Sequence, residues 1–183
     1  MHEFDKHSLG DIALYPVFIT KKDELGGGAW ILYFKKFFSF SSGQVIAISM
    51  LKDEPPRLYS ICSGPDDDEI AILFKLNPTG FLTPRLVKLD IGDQLWVSQA
   101  FGSFYGSKDA DCWIAAGTGI APFVSMHKPG FYEGRLTEYI IREPIDVHRK
   151  YFVCGSSEMV VQVRDLLIGR GVDYDHIIAE IYF

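Results

Sequence analysis

Three short stretches of this 183-residue chain carry side chains whose types and spacing suit a phosphorylated, planar ligand. In Arg57-Leu58-Tyr59-Ser60 a cation and an aromatic ring stand two positions apart, which puts both on one face of an extended strand, and a hydroxyl follows. A guanidinium can grip a diphosphate through two hydrogen bonds while a tyrosine face stacks on a fused ring. Alone, the same tetrad serves equally well as an edge-strand arginine beside a core tyrosine. In Ala116-Gly117-Thr118-Gly119-Ile120-Ala121-Pro122 a glycine-rich turn joins a short apolar run to a helical stretch. Glycines let the backbone approach a pyrophosphate, and a helix N-terminus supplies N–H groups and a positive dipole end. The bland alternative, a tight strand-to-helix turn, has equal weight. Gly80-Phe81-Leu82-Thr83, ahead of Leu86 and Leu89, opens a second helix with a second such N-terminus.

Two further runs hold reactive types. Cys154-Gly155-Ser156-Ser157-Glu158-Met159 ends a buried strand, the place where α/β sheets put their ligands, and the sequence closes on Glu180-Ile181-Tyr182-Phe183. Singly, Cys154 reads as a small buried hydrophobe, Glu180 as a solvated strand residue and Tyr182 as a core aromatic. Other chemistries have weaker claims. With 18 basic and 24 acidic residues the net charge is −6, and without a basic stripe nucleic acid is a poor partner. The pairs Lys21-Lys22 and Lys35-Lys36 read as solvated strand ends in preference to a docking patch. Three widely spaced cysteines build no disulfide framework, zinc ribbon or iron–sulfur site. The five histidines show no metal-ligand spacing, and Asp66-Asp67-Asp68-Glu69 reads as a hairpin turn, so no metal is expected. The N-terminal decapeptide is polar, and no run nears the roughly 18 apolar residues of a membrane span. A reducing, cytoplasmic setting is the expectation.

The elements that must position these residues fall into two textures. Up to about residue 106, strand-like runs at 12–20, 29–35, 44–50, 58–62, 69–76 and 94–98 are punctuated by Gly26-Gly27-Gly28, Ser41-Ser42-Gly43, Pro55-Pro56 and Gly64-Pro65. Closely spaced strands of this kind predict an antiparallel β-barrel, with the helix after Gly80 as its one interruption. Beyond that point, strands at 112–116, 151–154 and 177–183 alternate with helical stretches after Gly119 and at 157–168, which predicts a parallel α/β sheet. The expected division is 1–106 and 107–183, with the boundary in the polar 105–111 stretch.

Taken together and in this order, Arg57/Tyr59/Ser60, Gly80-Phe81-Leu82-Thr83, the Gly117 turn, the Cys154 run and the Glu180-Ile181-Tyr182-Phe183 ending resemble the ferredoxin–NADP+ reductase family of flavoproteins. The last two runs look more like these reductases than like the related cytochrome b5 reductases. The resemblance implies an FAD-binding barrel and an NADP(H)-binding α/β domain. Arg57 would hold the FAD pyrophosphate with the groups around Gly80, Phe81, Leu82 and Thr83. Tyr59 would stack on one flavin face, and Ser60 would sit near the flavin N5. Tyr182 would cover the other face, with Phe183 toward the adenine. Gly117, Thr118 and Gly119 would face the NADP(H) pyrophosphate, and Ser60, Cys154, Glu180 and Tyr182 would form the reaction pocket. Hydride transfer between two rings asks a protein chiefly to orient them and exclude water. Single electrons would then pass to a separate ferredoxin or flavodoxin, since this chain has no cluster-binding cysteine spacing of its own.

The sequence departs from the family in one respect. The family's nucleotide sheet has strand order 3-2-1-4-5, but only residues 123–150 separate Pro122 from the fourth strand, and 133–141 resembles the helix before it. One βαβ unit needs about 30 residues or more. Strand two, its helix and strand three are therefore expected to be absent, with a seam at 126–131, leaving strands 1-4-5 contiguous. A deletion and an interrupted sequence both account for the abrupt His127-Lys128-Pro129 junction. The competing functional expectation is a flavin-binding or electron-relay module with impaired nicotinamide binding.

Overall fold

The computed structural model describes residues 12–105, 112–126, 140–142 and 144–182. In the first part, β1 (Tyr15–Gly26), β2 (Ala29–Lys35), β3 (Val45–Ser49), β4 (Arg57–Ser60), β5 (Glu69–Lys75) and β6 (Gln94–Val97) form one antiparallel sheet in the order β4-β3-β6-β1-β2-β5. The sheet curls until its ends meet at a single bridge, Ile61 to Ile72, so it is barrel-like but not closed by a continuous ladder. Alternation decides what lies inside. Leu32 and Phe34 of β2 are fully buried, and with Ile46 and Ile48 of β3, Ile72 and Phe74 of β5 and Leu95 of β6 they make one apolar core. The short helix α1 (Thr83–Leu86) has Pro84 in its first turn, where the missing N–H costs nothing, and Leu82, Leu86 and Leu89 enter the same core.

β1 is longer than the 12–20 run predicts. It continues through Lys21, Lys22, Asp23 and Glu24 to Gly26, and its register against β2 shifts between Ile19 and Lys21. That bulge at Thr20 resets the in–out alternation. Past it the strand is held by cross-strand pairing to Tyr33, Leu32, Ile31 and Trp30, which no local pattern reveals. Gly27 and Gly28 close the hairpin with φ values of 59° and 78°, the left-handed pair that a two-residue type I′ turn requires.

The second sheet is parallel, in the order β7 (Cys112–Ala115), β8 (Tyr151–Ser156), β9 (Ile177–Tyr182). Among the described residues this is the contiguous three-strand arrangement expected from the sequence. β8 lies in the middle and reads as an unbroken apolar run because both its faces are covered. Tyr151 and Val153 face a cluster with Val160, Val163 and Leu167, while Phe152 and Cys154 face another with Phe104 and Phe123. Between β7 and β8 come a 3-10 turn, Gly117–Ile120, and α2 (Ala121–Met126). After β8 runs α3 (Ser157–Gly169), one residue longer than expected. Ser156 caps it by accepting from the Met159 amide. At its other end Gly171, with φ of 90°, donates to Ile168 O and Val172 donates to Leu167 O, a Schellman stop with Val172 and Leu167 both buried. The predicted 133–141 helix, the 126–131 seam and the 106/107 boundary fall almost wholly outside the described residues, although 140–142 are helical.

Candidate functional site

β4 brings the Arg57 tetrad to one end of the first sheet. Its ladder with β3 pairs Ser60 with Val45, Tyr59 with Ile46 and Arg57 with Ile48. Arg57 is exposed, and among the described residues it forms no ion pair. A guanidinium held on a strand end and unpaired with carboxylate is suited to an external anion. The half-buried Tyr59 ring meets the edge of Phe74, with centroids 6.4 Å apart. Burial pushes its phenol up to about 12 against the opposing pull of Arg57, so it is neutral and flat at working pH.

The same strand ends on Ser60, which is buried, and here the two sheets meet. Glu180 of β9 lies directly across from Cys154 of β8 in the parallel ladder. The Cys154 thiol donates to Glu180 Oε2 at 3.6 Å, and the Ser60 hydroxyl donates to the same oxygen at 3.5 Å. Cys154 is 0% exposed and Ser60 4%, whereas Glu180 is half-buried, so one carboxylate oxygen collects two donors at the rim of the interface. Three of the four residues expected to form the reaction pocket are thus gathered from strands up to 120 positions apart. Tyr182 ends β9 with its backbone paired to Ser156. Phe183 lies outside the described residues.

The glycine turn is seated against this group. Ala116 N–H donates to Cys154 O at 3.1 Å, and a Cβ on Gly119 would lie 2.3 Å from that oxygen. Only glycine fits there, because the obstacle is backbone and cannot swing aside. Gly117 has φ of 56° and is exposed, with Thr118 half-exposed beside it. The turn therefore lies directly against the backbone of β8 at Cys154, with Gly117 on its exposed side.

The Gly80-Phe81-Leu82-Thr83 run has a more divided role. Leu82 is buried in the core, Phe81 is exposed under the Arg85 guanidinium at 5.0 Å, and Thr83 Oγ1 already accepts from Asn77 N–H at 2.9 Å. Arg85 in turn pairs with Glu54 at 2.8 Å, which ties α1 to the loop just ahead of Arg57. Sequence alone offered no signal for that pair, because its members stand 31 positions apart. The lysine pairs are also busier than solvated strand ends. Lys22 donates to the carbonyls of Val87 and Leu89, closing the segment after α1, and Lys36 donates to Pro65 O at 2.8 Å. A long flexible stem lets an ammonium reach backbone that its sequence neighbours do not approach.

A cavity of ≈ 410 Å³ lined by Tyr33, Ser63 and the 66–69 carboxylates shares no residue with this site. Its acidic wall would repel a diphosphate, so the convergence at Glu180 is the better guide to chemistry. Among the described residues no group of three or more His, Cys, Asp or Glu could hold a metal, and no helix is long and apolar enough to cross a membrane.

No family model matches the chain. Over 98 residues, half of this chain, it is 34% identical to the flavodoxin/ferredoxin–NADP reductase of Shigella flexneri. Over 91 residues it is 31% identical to the toluate 1,2-dioxygenase electron transfer component of Pseudomonas putida. The matched stretches span 40% and 27% of those relatives' own lengths. The crystal structure of a ferredoxin NADP+ reductase from Neisseria gonorrhoeae, with bound FAD and NADP, superposes with a TM-score of 0.80 at 16% identity, over 93% of this chain and 99% of that one. A barrel-like antiparallel sheet joined to a parallel α/β sheet, with a glycine turn at their meeting point, thus defines a two-sheet reductase fold. The chain thus has the two-domain fold seen in ferredoxin–NADP+ reductases, and it spans less than half the length of the curated relatives it matches.

Proposed function

We propose that this protein is an FAD-dependent oxidoreductase of the ferredoxin–NADP+ reductase type, in which 1–106 binds FAD and 107–183 binds NADP(H). The observation that carries this reading is the meeting of Ser60, Cys154 and Glu180 at one carboxylate oxygen where the two sheets touch. The residues present fit an FAD: at Arg57 a guanidinium that forms no ion pair among the described residues, and at Tyr59 a neutral flat ring. Bound there, the flavin would exchange a hydride with the nicotinamide and release its electrons singly to ferredoxin or flavodoxin.

The chain's own groups have distinct parts. Arg57 grips the diphosphate from outside the barrel, supported by the N–H groups near Leu82 and Thr83. Tyr59 sets the plane of one ring. Gly117, Thr118 and Gly119 let the second nucleotide come close to β8. Glu180 holds the Ser60 and Cys154 protons toward itself, which fixes both side chains at the reacting centre and keeps the pocket narrow. Tyr182 would cover the opposite face of the flavin, the role that the resemblance implies for it. The second reading, a flavin-binding relay with impaired nicotinamide binding, draws on the three-stranded sheet, where only residues 127–150 separate α2 from β8.

Anaerobic mixing with NADPH separates the two. The flavin-loaded protein, yellow in both cases, should bleach within one turnover if it is a reductase. Persistent yellow colour at millimolar NADPH would reject the first reading and leave the relay; a protein that retains no FAD would reject both.

A further inference from the structure

The turn at residues 41–44 contacts elements on both sides of the Ser60–Cys154–Glu180 group without contributing a side chain to it. It is internally tight: Gln44 N–H donates to Ser41 O at 3.2 Å, and Ser41 N–H donates to Gln44 Oε1 at 2.9 Å. On one side it runs straight into β3. Gln44 O accepts from Ile61 N–H at 3.1 Å, and the next residue, Val45, is the ladder partner of Ser60. On the other side it meets the second sheet. Ser42 Oγ donates to Ser125 O of α2 at 2.8 Å. Gly43 is buried with φ of 90°, and a Cβ there would fall 1.9 Å from Phe104 O and 2.5 Å from the Met126 methyl. Phe104 and Met126 belong to the cluster that contains Cys154, with Phe104 packed on Phe152 at 5.4 Å and on Phe123 at 5.8 Å.

We propose that Ser42 and Gly43 are positioning residues: the 41–44 turn is a spacer of fixed thickness between β3–β4 and the α2–Phe104 cluster, and so sets the separation of Ser60 from the Cys154–Glu180 pair. Its part in the reaction rests on the reductase reading above; its part in holding the two sheets together does not. The physical basis is that the spacer has no slack. Backbone faces it at Gly43, a directional hydrogen bond fixes it at Ser42, and a ladder hydrogen bond fixes it at Gln44. The 3.5 Å contact of Ser60 with Glu180 is already at the long limit of a hydrogen bond, so a small retreat of either sheet ends it.

Two readouts on the FAD-loaded protein test this. Ser42→Ala removes the bond to α2 and leaves the turn's own hydrogen bonds in place. It should slow the limiting rate of flavin bleaching by NADPH about fivefold, the change expected when one hydrogen bond of about 1 kcal/mol that holds reacting groups in register is lost. Half-saturating NADPH and FAD retention should not change, and Ser42→Thr should restore the rate. Independently of any flavin chemistry, alkylation of Cys154 mapped by peptide mass should speed up about tenfold in Ser42→Ala, while the half-exposed Cys112 reacts as before. Gly43→Ala should give larger changes in both; should it fail to fold, Ser42→Ala decides. Wild-type bleaching and wild-type Cys154 protection in Ser42→Ala would overturn the proposal. If even the unaltered protein does not bleach, the reductase reading falls and the alkylation result alone judges the spacer.

Discussion

The two sheets organise their interiors differently. The six-stranded sheet wraps one contiguous cluster in which Ile46, Ile48, Ile61, Ile72 and Leu32 are all fully buried, and every residue in it comes from that part of the chain. The three-stranded sheet has two clusters, one on each face of β8. The α3 side is self-supplied, but the other side takes Phe104 from the segment that follows β6, and Ala121 beyond it packs on Cys62 and Ala71 of the first sheet. A sheet of three strands has too little area to cover both of its faces with its own side chains, so it leans on its neighbour. The shared Glu180 oxygen lies along that dependence: Ser60 stands on the self-sufficient side, Cys154 and Glu180 on the dependent one.

The sharpest way to break this contrast is Phe104→Ala. Removing a buried aromatic ring costs about 3–5 kcal/mol, and here the loss should fall on β8 and its neighbours. Hydrogen exchange should show β8 amides losing protection while β2 and β5 keep theirs; equal losses in both sheets would end the distinction. Next in size is Arg57→Ala, which addresses function on the self-sufficient side. Loss of a charge-assisted hydrogen bond of about 1.5–3 kcal/mol should weaken FAD retention roughly 10- to 100-fold with no change in the melting temperature of the flavin-free protein. Unaltered retention would remove the diphosphate from Arg57.

Smaller effects sharpen the picture. Ser156→Ala should cost about 1 kcal/mol by uncapping α3, read as a lowered urea midpoint that Ser156→Asp recovers. The smallest effect near neutrality is electrostatic and sits at the seam between the sheets. Burial pushes the Cys62 thiol from 9.0 up to about 12, so the folded state holds a proton that the unfolded state has lost above pH 9. The stability tied to that proton is fully present below pH 9 and is lost as pH rises toward 12; half-buried Tyr59 acts in the same direction above pH 10. The urea midpoint should fall between pH 9 and 11, and less steeply in Cys62→Ala.

Much of this was legible in the residues. β2 and the start of α3 sit where the turn-punctuated runs 29–35 and 157–168 put them, and Gly171 stops α3 as a glycine after a helix should. The shortened parallel sheet followed from counting residues between Pro122 and Tyr151. What escaped was whatever depends on a partner far along the chain. The bulge at Thr20 hid the second half of β1, because its polar residues are held only by the strand opposite. Glu54 and Arg85 carried no joint signal. Ser42 and Gly43 read as turn punctuation, since the objects that make them indispensable, Phe104 O and the Ser125 carbonyl, lie 61 and 83 positions away.

By itself, then, the sequence determined the kinds of element, their order, their apolar faces and the residue types able to do chemistry, because periodicity, capping and turn residues act over a few positions. Tertiary structure alone decided that Ser60 and Cys154 give their protons to one oxygen of Glu180, that Gly119 must lie against the Cys154 carbonyl, and that Phe104 completes a core it does not belong to by sequence. Alternation tells which face a side chain takes. Only strand order and register, set when the sheets close on one another, tell which residue it meets there.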